Sequence, residues 1–587
     1  MAVLLAFAAV NAPAAVSGGP PALPGLTTIS PARWDATAVR KVMRTFAFGG
    51  HATDAQVDLW AAMAPQDAIV QMLNFDEHNL RLSPPDPALR REAMASRPQT
   101  LRSLGDYWSS TDPSNLMPSA LRRQFTRDAR YGPMLTWMLA ARVRGGNPFR
   151  HRVGFWETNH HLAVSHTSEV SNYQLVRYYD DVLAALARGD SYDEVIATAA
   201  SSAAIAQQYG HRYNRYIDGV CYCNEDFARE LHQLGFGVLG TGDRTYHERV
   251  SIKNTAKLLT GMRLTSREAP DDSQAEVPLF GSVGHINAPV PILRTMIGGA
   301  NMRDDLRDLA RFEIRHPESS DALPLMIVQG MADDQLSQGE AQALRRAWRA
   351  MPRKDLLRFL RAYAISTHFH SPQRARQLSS LDRFMIFANR FTDSNLEHYR
   401  DVVESWRLHL EEGFVPFEPW HEVFGHQTGA EAAASADLFR KYYARASDAR
   451  FAGSKQSLSG RTRYKDWRAL MPPAARHQVR ATAEWLWQRF VADGLKNFGL
   501  LERGHVYALL TTGRDLGAEL RPRAAGTRVM PKDLKSGAGL QWMKRTAART
   551  LPLASRSPES RAAANDRVGA AVAFIIATPF MLAEEGR

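Results

Sequence analysis

SYDEVIATAASSAAIAQQYG, residues 191–210, decides the class of fold. Ser191 and Glu194 have the spacing of a capping box, in which a hydroxyl and a carboxylate satisfy orphan amides at a helix start. Val195, Ile196 and Ala199 begin an apolar face behind it, and Gly210 is a natural stop. Ser394 and Glu397 repeat the device, and Leu396, Tyr399, Val403, Trp406 and Leu410 then recur at three- and four-residue steps until Gly413. Val176, Tyr179, Leu183 and Leu186 share a face closed by Gly189, and Val479, Ala483, Leu486 and Phe490 form another stripe. Period-two runs are few and short. The expected fold is all-α (mainly): a large multi-helix assembly with long loops and at most minor strands.

A chain of 587 residues has room for three or four units at ~150 residues each, although one helical assembly can run longer. Its hydrophobic fraction of 44% and charged fraction of 23% suit a globular protein. Residues 16–36 read as a Gly-, Pro- and Ala-rich lead-in, and Pro, Asp and Ser clusters at 80–90 and 265–292 read as loops. The organisation expected is a leader or mobile segment over 1–30 and one helical unit over 31–587, with a sub-boundary near 391–395. Residues 521–567 are basic and weakly periodic, and read as a loop or loosely packed segment.

Ala2 to Val10 (AVLLAFAAV) followed by Ala12-Pro13-Ala14 has the apolar and cleavage regions of a secretory signal, without the basic first region. Export to the periplasm or medium is the expectation. Val568 to Leu582 is interrupted by Pro579 and falls short of the ~20 residues needed to cross a bilayer, so a buried final helix is expected, not an integral membrane protein.

The 73 Lys and Arg against 61 Asp and Glu leave a net charge of +12, which favours anionic partners such as acidic polysaccharide. No Lys/Arg run with interleaved aromatics marks a nucleic-acid groove, so nucleic acid is not an expected partner. Cys221 and Cys223 are the only cysteines; a disulfide between residues so close is expected to be strained, and two thiols do not complete a zinc site.

Gly235-Phe236-Gly237-Val238-Leu239-Gly240 matches G-x-G-x-x-G, but it follows a helical stretch and not a strand, so it reads as a helix exit and no nucleotide cofactor is expected. His421 and His426 are one residue too far apart to share a helix face as metalloprotease ligands. His151, His160, His161 and His166 crowd one segment, where His160 and His161 are candidate metal ligands and Glu157 and Asn159 lie close enough to orient an imidazole. Thr367-His368-Phe369-His370 reads as a helix exit before Pro372.

Cys221-Tyr222-Cys223-Asn224-Glu225-Asp226-Phe227-Ala228-Arg229-Glu230-Leu231-His232 carries the most chemistry. On a helix Glu225, Arg229 and His232 stack at i, i+4 and i+7, a stripe able to bind an anion or move a proton. The same stripe also suits a solvated face with one i,i+4 ion pair.

Asn224-Glu225 with Ala228-Arg229-Glu230-Leu231, then Leu259-Thr260-Gly261, resembles the signature of domain-of-unknown-function family 1800. Phe155-Trp156 with Asn159-His160, and His316-Pro317, resemble further elements of that family, and the likeness runs from about residue 40 to the C-terminus. Met262 stands where the family usually has Trp, and the His-, Asp- and Gly-rich loop expected next is poorly matched at 265–292. The resemblance implies an exported bacterial protein of helical architecture and assigns no activity or cofactor.

Two functions follow as expectations. The first is a secreted or envelope hydrolase of an anionic or polymeric substrate, with Glu225, Glu230 and His160 catalytic and Arg229, Asn224 and His232 binding substrate. Glu225 and Glu230, at i and i+5, do not face each other, so a second carboxylate must come from elsewhere. No Gly-x-Ser-x-Gly favours acyl transfer. The alternative is a non-catalytic envelope protein that binds anionic polysaccharide or another envelope protein, its polar motif a buried packing network.

Overall fold

The computed structural model describes residues 22–75, 132–142, 147–165, 170–268, 274–391, 414–426, 428, 467–519, 531–581 and 583–585. It is mainly α-helical, and the sheets among the described residues are four antiparallel pairs of strands. Helix starts follow side-chain chemistry. Thr53 with Gln56 closes a capping box on Asp54–Ala62, and Ser171 with Gln174 closes one on Asn172–Ala187. Val176, Tyr179, Leu183 and Leu186 are buried on the latter helix, and Gly189 beyond it takes φ +76°. Val479, Ala483, Leu486 and Phe490 are buried on Val479–Phe490. The helix expected after Ser394 lies outside the described residues.

Residues 191–210 depart from their expected single helix. Tyr192–Ala200 stops at Ser201, and Ala203–Gln208 restarts from Ser202, whose hydroxyl accepts the Ile205 amide at 3.2 Å. Two serines in mid-run offer the backbone a local cap that competes with helix continuation. The Ser191–Glu194 box does not form: Ser191 makes no side-chain cap bond, and Glu194 lies 3.3 Å from both Arg307 and Arg311.

One apolar cluster runs from Leu23 to Met581, anchored by the fully buried Trp137, Trp348, Trp467 and Trp487. Tyr192–Ala200 packs against Asn172–Ala187 and Met302–Glu313, and Ala36–Ala47 packs on Pro148–Trp156. The lead-in is packed from residue 22 onward, because Leu23, Leu26 and Ile29 are buried. Residues 531–567, part of the 521–567 stretch expected as a loop or loosely packed segment, contain the helix Gly537–Ala547 and the start of Pro558–Ile576, both packed on Leu500–Thr512. Met543, Ala547, Ala564 and Val568 are buried there, a stripe too sparse among the arginines to be read as periodic. The buried final helix expected over 568–582 instead spans Pro558–Ile576, and no helix among the described residues is long and apolar enough to cross a membrane.

Two strand pairs correct the sequence reading. β1 (Arg215–Ile217) and β2 (Val220–Tyr222) join through Asp218 and Gly219, at φ +47° and +81°, the left-handed pair that a two-residue hairpin requires. Cys221 and Cys223 beside this turn are disulfide-bonded, with Cα atoms 5.3 Å apart, inside the span a disulfide bridges. β3 (Met262–Glu268) and β4 (Gln274–Phe280) pair across a stretch expected to be loop. β5 (Val290–Ile292) and β6 (Thr295–Ile297) form a third hairpin, and β7 (Ala375–Gln377) pairs with β8 (Ala583–Glu585), tying the end of the chain to its middle.

Candidate functional site

Three helices loosen into π-turns, and each π-turn carries a histidine. Pro148–Trp156 continues as Glu157–His161, Asp226–Glu230 as Leu231–Gly235, and the short Arg244–Tyr246 as His247–Ser251. A π-turn admits one extra residue per turn, which rotates every following side chain off the α-helical register. The expected stripe of Glu225, Arg229 and His232 is not formed, and of the three only His232 lies within the π-turn that begins at Leu231. Glu225 sits at the helix N-cap, Arg229 turns outward to Glu248, and His232 turns into the core.

The three turns are stitched together by imidazoles. His161 Nδ1 lies 2.9 Å from Glu157 Oε2 and 3.2 Å from the Tyr192 hydroxyl, and its Nε2 reaches the Gly235 carbonyl of the second turn at 3.1 Å. The ring stacks on Trp156 at 4.8 Å. Burial, with Glu157 beside it, holds the Tyr192 phenol well above its ordinary range. His232 Nε2 meets the Thr255 hydroxyl at 2.9 Å, and its Nδ1 lies 2.6 Å from Glu313 Oε1, an ion-pair approach that is not aligned as a hydrogen bond. Both groups are sealed from solvent. His247 packs edge-on against His232 at 4.9 Å, with no hydrogen bond to either ring nitrogen. Burial and then His232 push it down to about 4, so it is neutral at pH 7.

His160 goes elsewhere. Its Nδ1 meets the His426 carbonyl at 2.7 Å, and its ring packs among Phe155, Phe414 and His426. Burial and the neighbouring His426 push it down to about 3. The segment 414–426 is laid over the first π-turn by two further bonds, Phe417 N–H to Asn159 Oδ1 at 2.7 Å and His426 N–H to the Asn159 carbonyl at 2.8 Å. Gly425, at φ +72°, is required there because a Cβ would collide with the Asn159 carbonyl. His421 heads a tight turn in that segment, its Nδ1 accepting the Val423 and Phe424 amides, which agrees with rejecting a metalloprotease helix.

Asn224 holds the hairpin to the helix, giving Nδ2 to the Tyr209 carbonyl at 3.1 Å and accepting the Asp226 amide at 2.8 Å. Glu225 makes no side-chain hydrogen bond or ion pair among the described contacts. Glu230 is half-buried, and burial raises its carboxyl above the ordinary value against the pull of Arg229. No contact joins Glu225, Glu230 and His160 into one centre. As metal candidates, His161 has both ring nitrogens engaged and His160 has Nδ1 engaged; no group of three His, Cys, Asp or Glu among the described residues is arranged to hold a metal ion.

The glycine-rich loop does cradle an anion, one from its own chain. The amides of Leu239, Gly240 and Thr241 donate to the Glu318 carboxylate at 2.6, 2.9 and 2.8 Å, and the Thr241 hydroxyl adds a fourth bond at 2.7 Å. Burial opposes the charge on Glu318, but these four bonds prevail and hold the carboxyl below its ordinary value. Glu318→Ala is expected to destabilise the fold by about 1–2 kcal/mol, since it orphans three amides partly open to water; a melting curve unchanged from wild type would refute the cradle's contribution.

Tyr192, His247, Thr255, Glu313 and Glu248 were not singled out from the sequence. Only Glu157, four residues before His161, left a local signal. The fold adds a third buried His–carboxylate contact, His285 Nε2 to Asp305 at 3.0 Å, with His285 Nδ1 on the Thr260 carbonyl at 2.8 Å. It fixes the Leu259-Thr260-Gly261 turn, where a Cβ on Gly261 would strike His285.

No curated protein and no solved structure matches the chain. Residues 41–581, nearly the whole length, match the family described as a protein of unknown function, DUF1800, and the chain belongs to that family.

Proposed function

We propose that the protein is a non-catalytic binding or assembly protein of the bacterial envelope, and that its Asn-Glu and Ala-Arg-Glu-Leu motif is a packing device. One observation carries this reading: the buried histidines of the π-turns are held by buried carboxylates and backbone, and no contact joins Glu225, Glu230 and His160. His161 is held by Glu157 and the Gly235 carbonyl, and His232 by Glu313 and Thr255, all buried. A general acid or base has to reach its substrate within hydrogen-bond distance, which sealed groups do not. The apolar start AVLLAFAAV supports an exported setting, and the net charge of +12 supports an anionic polysaccharide or an acidic envelope protein as partner.

His161→Ala and His232→Ala are expected to lower stability by about 1–3 kcal/mol each, the usual penalty for orphaning buried polar groups. Both should leave binding to an acidic polysaccharide column intact while the variants remain folded. A second reading, hydrolysis, is favoured by one group only. Glu230 is half-buried, and a carboxyl raised by burial suits a general acid. Release of reducing ends from an acidic polysaccharide, lost in Glu230→Gln at unchanged melting temperature, would overturn the binding reading.

A further inference from the structure

A half-open crevice is lined by residues of the helices Ala36–Ala47, Asp54–Ala62, Ser380–Phe391 and Val479–Phe490 and of the turns beside them. Its described lining holds four arginines, Arg40, Arg44, Arg390 and Arg489, and no aspartate or glutamate. None of the histidine π-turns contributes to it.

The four guanidinium groups are held in different ways. Arg44 is committed to the fold: Nε lies 2.9 Å from Glu584, Nη1 donates to the Phe490 carbonyl at 2.5 Å and Nη2 to the Phe580 carbonyl at 3.2 Å. Arg390 and Arg489 clasp each other's helix ends, Arg390 Nε to the Arg489 carbonyl at 3.3 Å and Arg489 Nε to the Arg390 carbonyl at 2.6 Å. Gly49, at φ +78°, makes room for Arg390, because a Cβ there would press on its Cγ and Cδ at 3.3 Å. Arg40 is held most loosely. Asp54 Oδ1 lies 3.9 Å from it, while the other oxygen of that carboxylate, Oδ2, accepts the Trp485 indole, and Arg40 Nε is buried with no hydrogen bond.

Glu584 on Arg44 and Asp54 beside Arg40 offset part of this positive charge, and the excess favours a further anion. Burial, with Arg40 pressing on it, brings Arg390 down to about 10 despite the pull of Asp54. Met43, Val57 and Ile386 supply apolar walls beside the arginines.

We propose that this crevice binds a phosphate group, free or carried on a small ester, with Arg40 as its principal donor and Arg390 and Arg489 supplying the surrounding positive field. If the arginines served only as helix-end caps, Arg40, which caps nothing, would have no role in binding.

The test is calorimetry and thermal melting of the full chain with inorganic phosphate and with glycerol 3-phosphate, against chloride at matched ionic strength. Phosphate is expected to bind saturably, and at tenfold above its Kd to raise the melting temperature by about 1–2 °C. Arg40→Gln should weaken that affinity at least ~tenfold with the unliganded melting temperature unchanged, as for loss of one charge-assisted contact. Arg177→Gln, at a well-exposed arginine already paired with Asp181, should bind as wild type. If Arg40→Gln proves unstable, Arg40→Lys keeps the charge and loses the fork, and should still bind several-fold more weakly. Tighter binding of the ester than of phosphate identifies the attached body as part of the ligand. No saturable response beyond that of chloride, or equal affinity in folded Arg40 variants and wild type, overturns the proposal.

Discussion

Glu584→Ala is expected to cost about 3–5 kcal/mol of folding stability, the range for leaving buried charges without their partner. Glu584 sits on β8 three residues from the end of the chain and is closed off from solvent. Its carboxylate takes Arg374 Nη2 at 2.9 Å, Arg44 Nε at 2.9 Å and the Thr45 hydroxyl at 2.8 Å. Burial opposes the charge, yet Arg374 and then Arg44 hold the carboxyl below its ordinary value. Truncation would strand two buried guanidinium groups and also free β8, so the helix Ala36–Ala47 would lose its tie to the C-terminal end. Denaturant titration measures the loss directly. Glu584→Gln, which can keep the Thr45 bond but not the charge, should fall between wild type and Glu584→Ala. A midpoint for Glu584→Ala within error of wild type would show that the surrounding arginines are hydrated in solution.

Glu340→Gln should act in the opposite sense, and increasingly as pH rises above about 4.5. Burial, followed by the neighbouring Asp333, raises the Glu340 carboxyl to about 7, and the Tyr363 hydroxyl donates to it at 3.0 Å. In the unfolded chain the group ionises near its ordinary value of 4.5. The folded protein therefore holds an extra proton between about pH 4.5 and 7, and stability falls as pH rises through that window. Above it the penalty is complete, with an upper bound of about 3 kcal/mol. A glutamine donates to Asp333 at every pH, so the variant should match wild type near pH 4 and exceed it at pH 8.5. Glu584 and Asp382, both held below the ordinary carboxylate value, lose stability in the other direction as pH falls. Melting curves of wild type and variant at both pH values decide the matter; equal pH dependence would mean that Glu340 titrates as an exposed carboxylate.

How far the site was legible depends on the range of each contact. Glu157 and His161 are four residues apart, so their pairing can be read from spacing alone. The i, i+4, i+7 stripe of Glu225, Arg229 and His232 was read on the same rule and is not formed: Glu225 is the N-cap, and of the three only His232 lies within the π-turn that begins at Leu231. Nothing local announces that turn. His232 is buried where Glu313 and Thr255, from two other helices, surround it. The glycine-rich loop was separated from nucleotide binding by its context, but its occupant Glu318 could come only from the packed structure.

The sequence by itself determined the mainly helical class, the helices Asn172–Ala187 and Val479–Phe490, the buried final helix and the family. These rest on periodicity, caps and spacing, which act within a turn or two of chain. Tertiary structure alone decided the break at Ser201-Ser202, the disulfide hairpin, the inward turn of His232, the Glu584 charge network and the arginine crevice. The physical reason is that burial sets the energy of a charge or an unpaired polar group, and the burial of these groups is fixed by elements far apart in the chain.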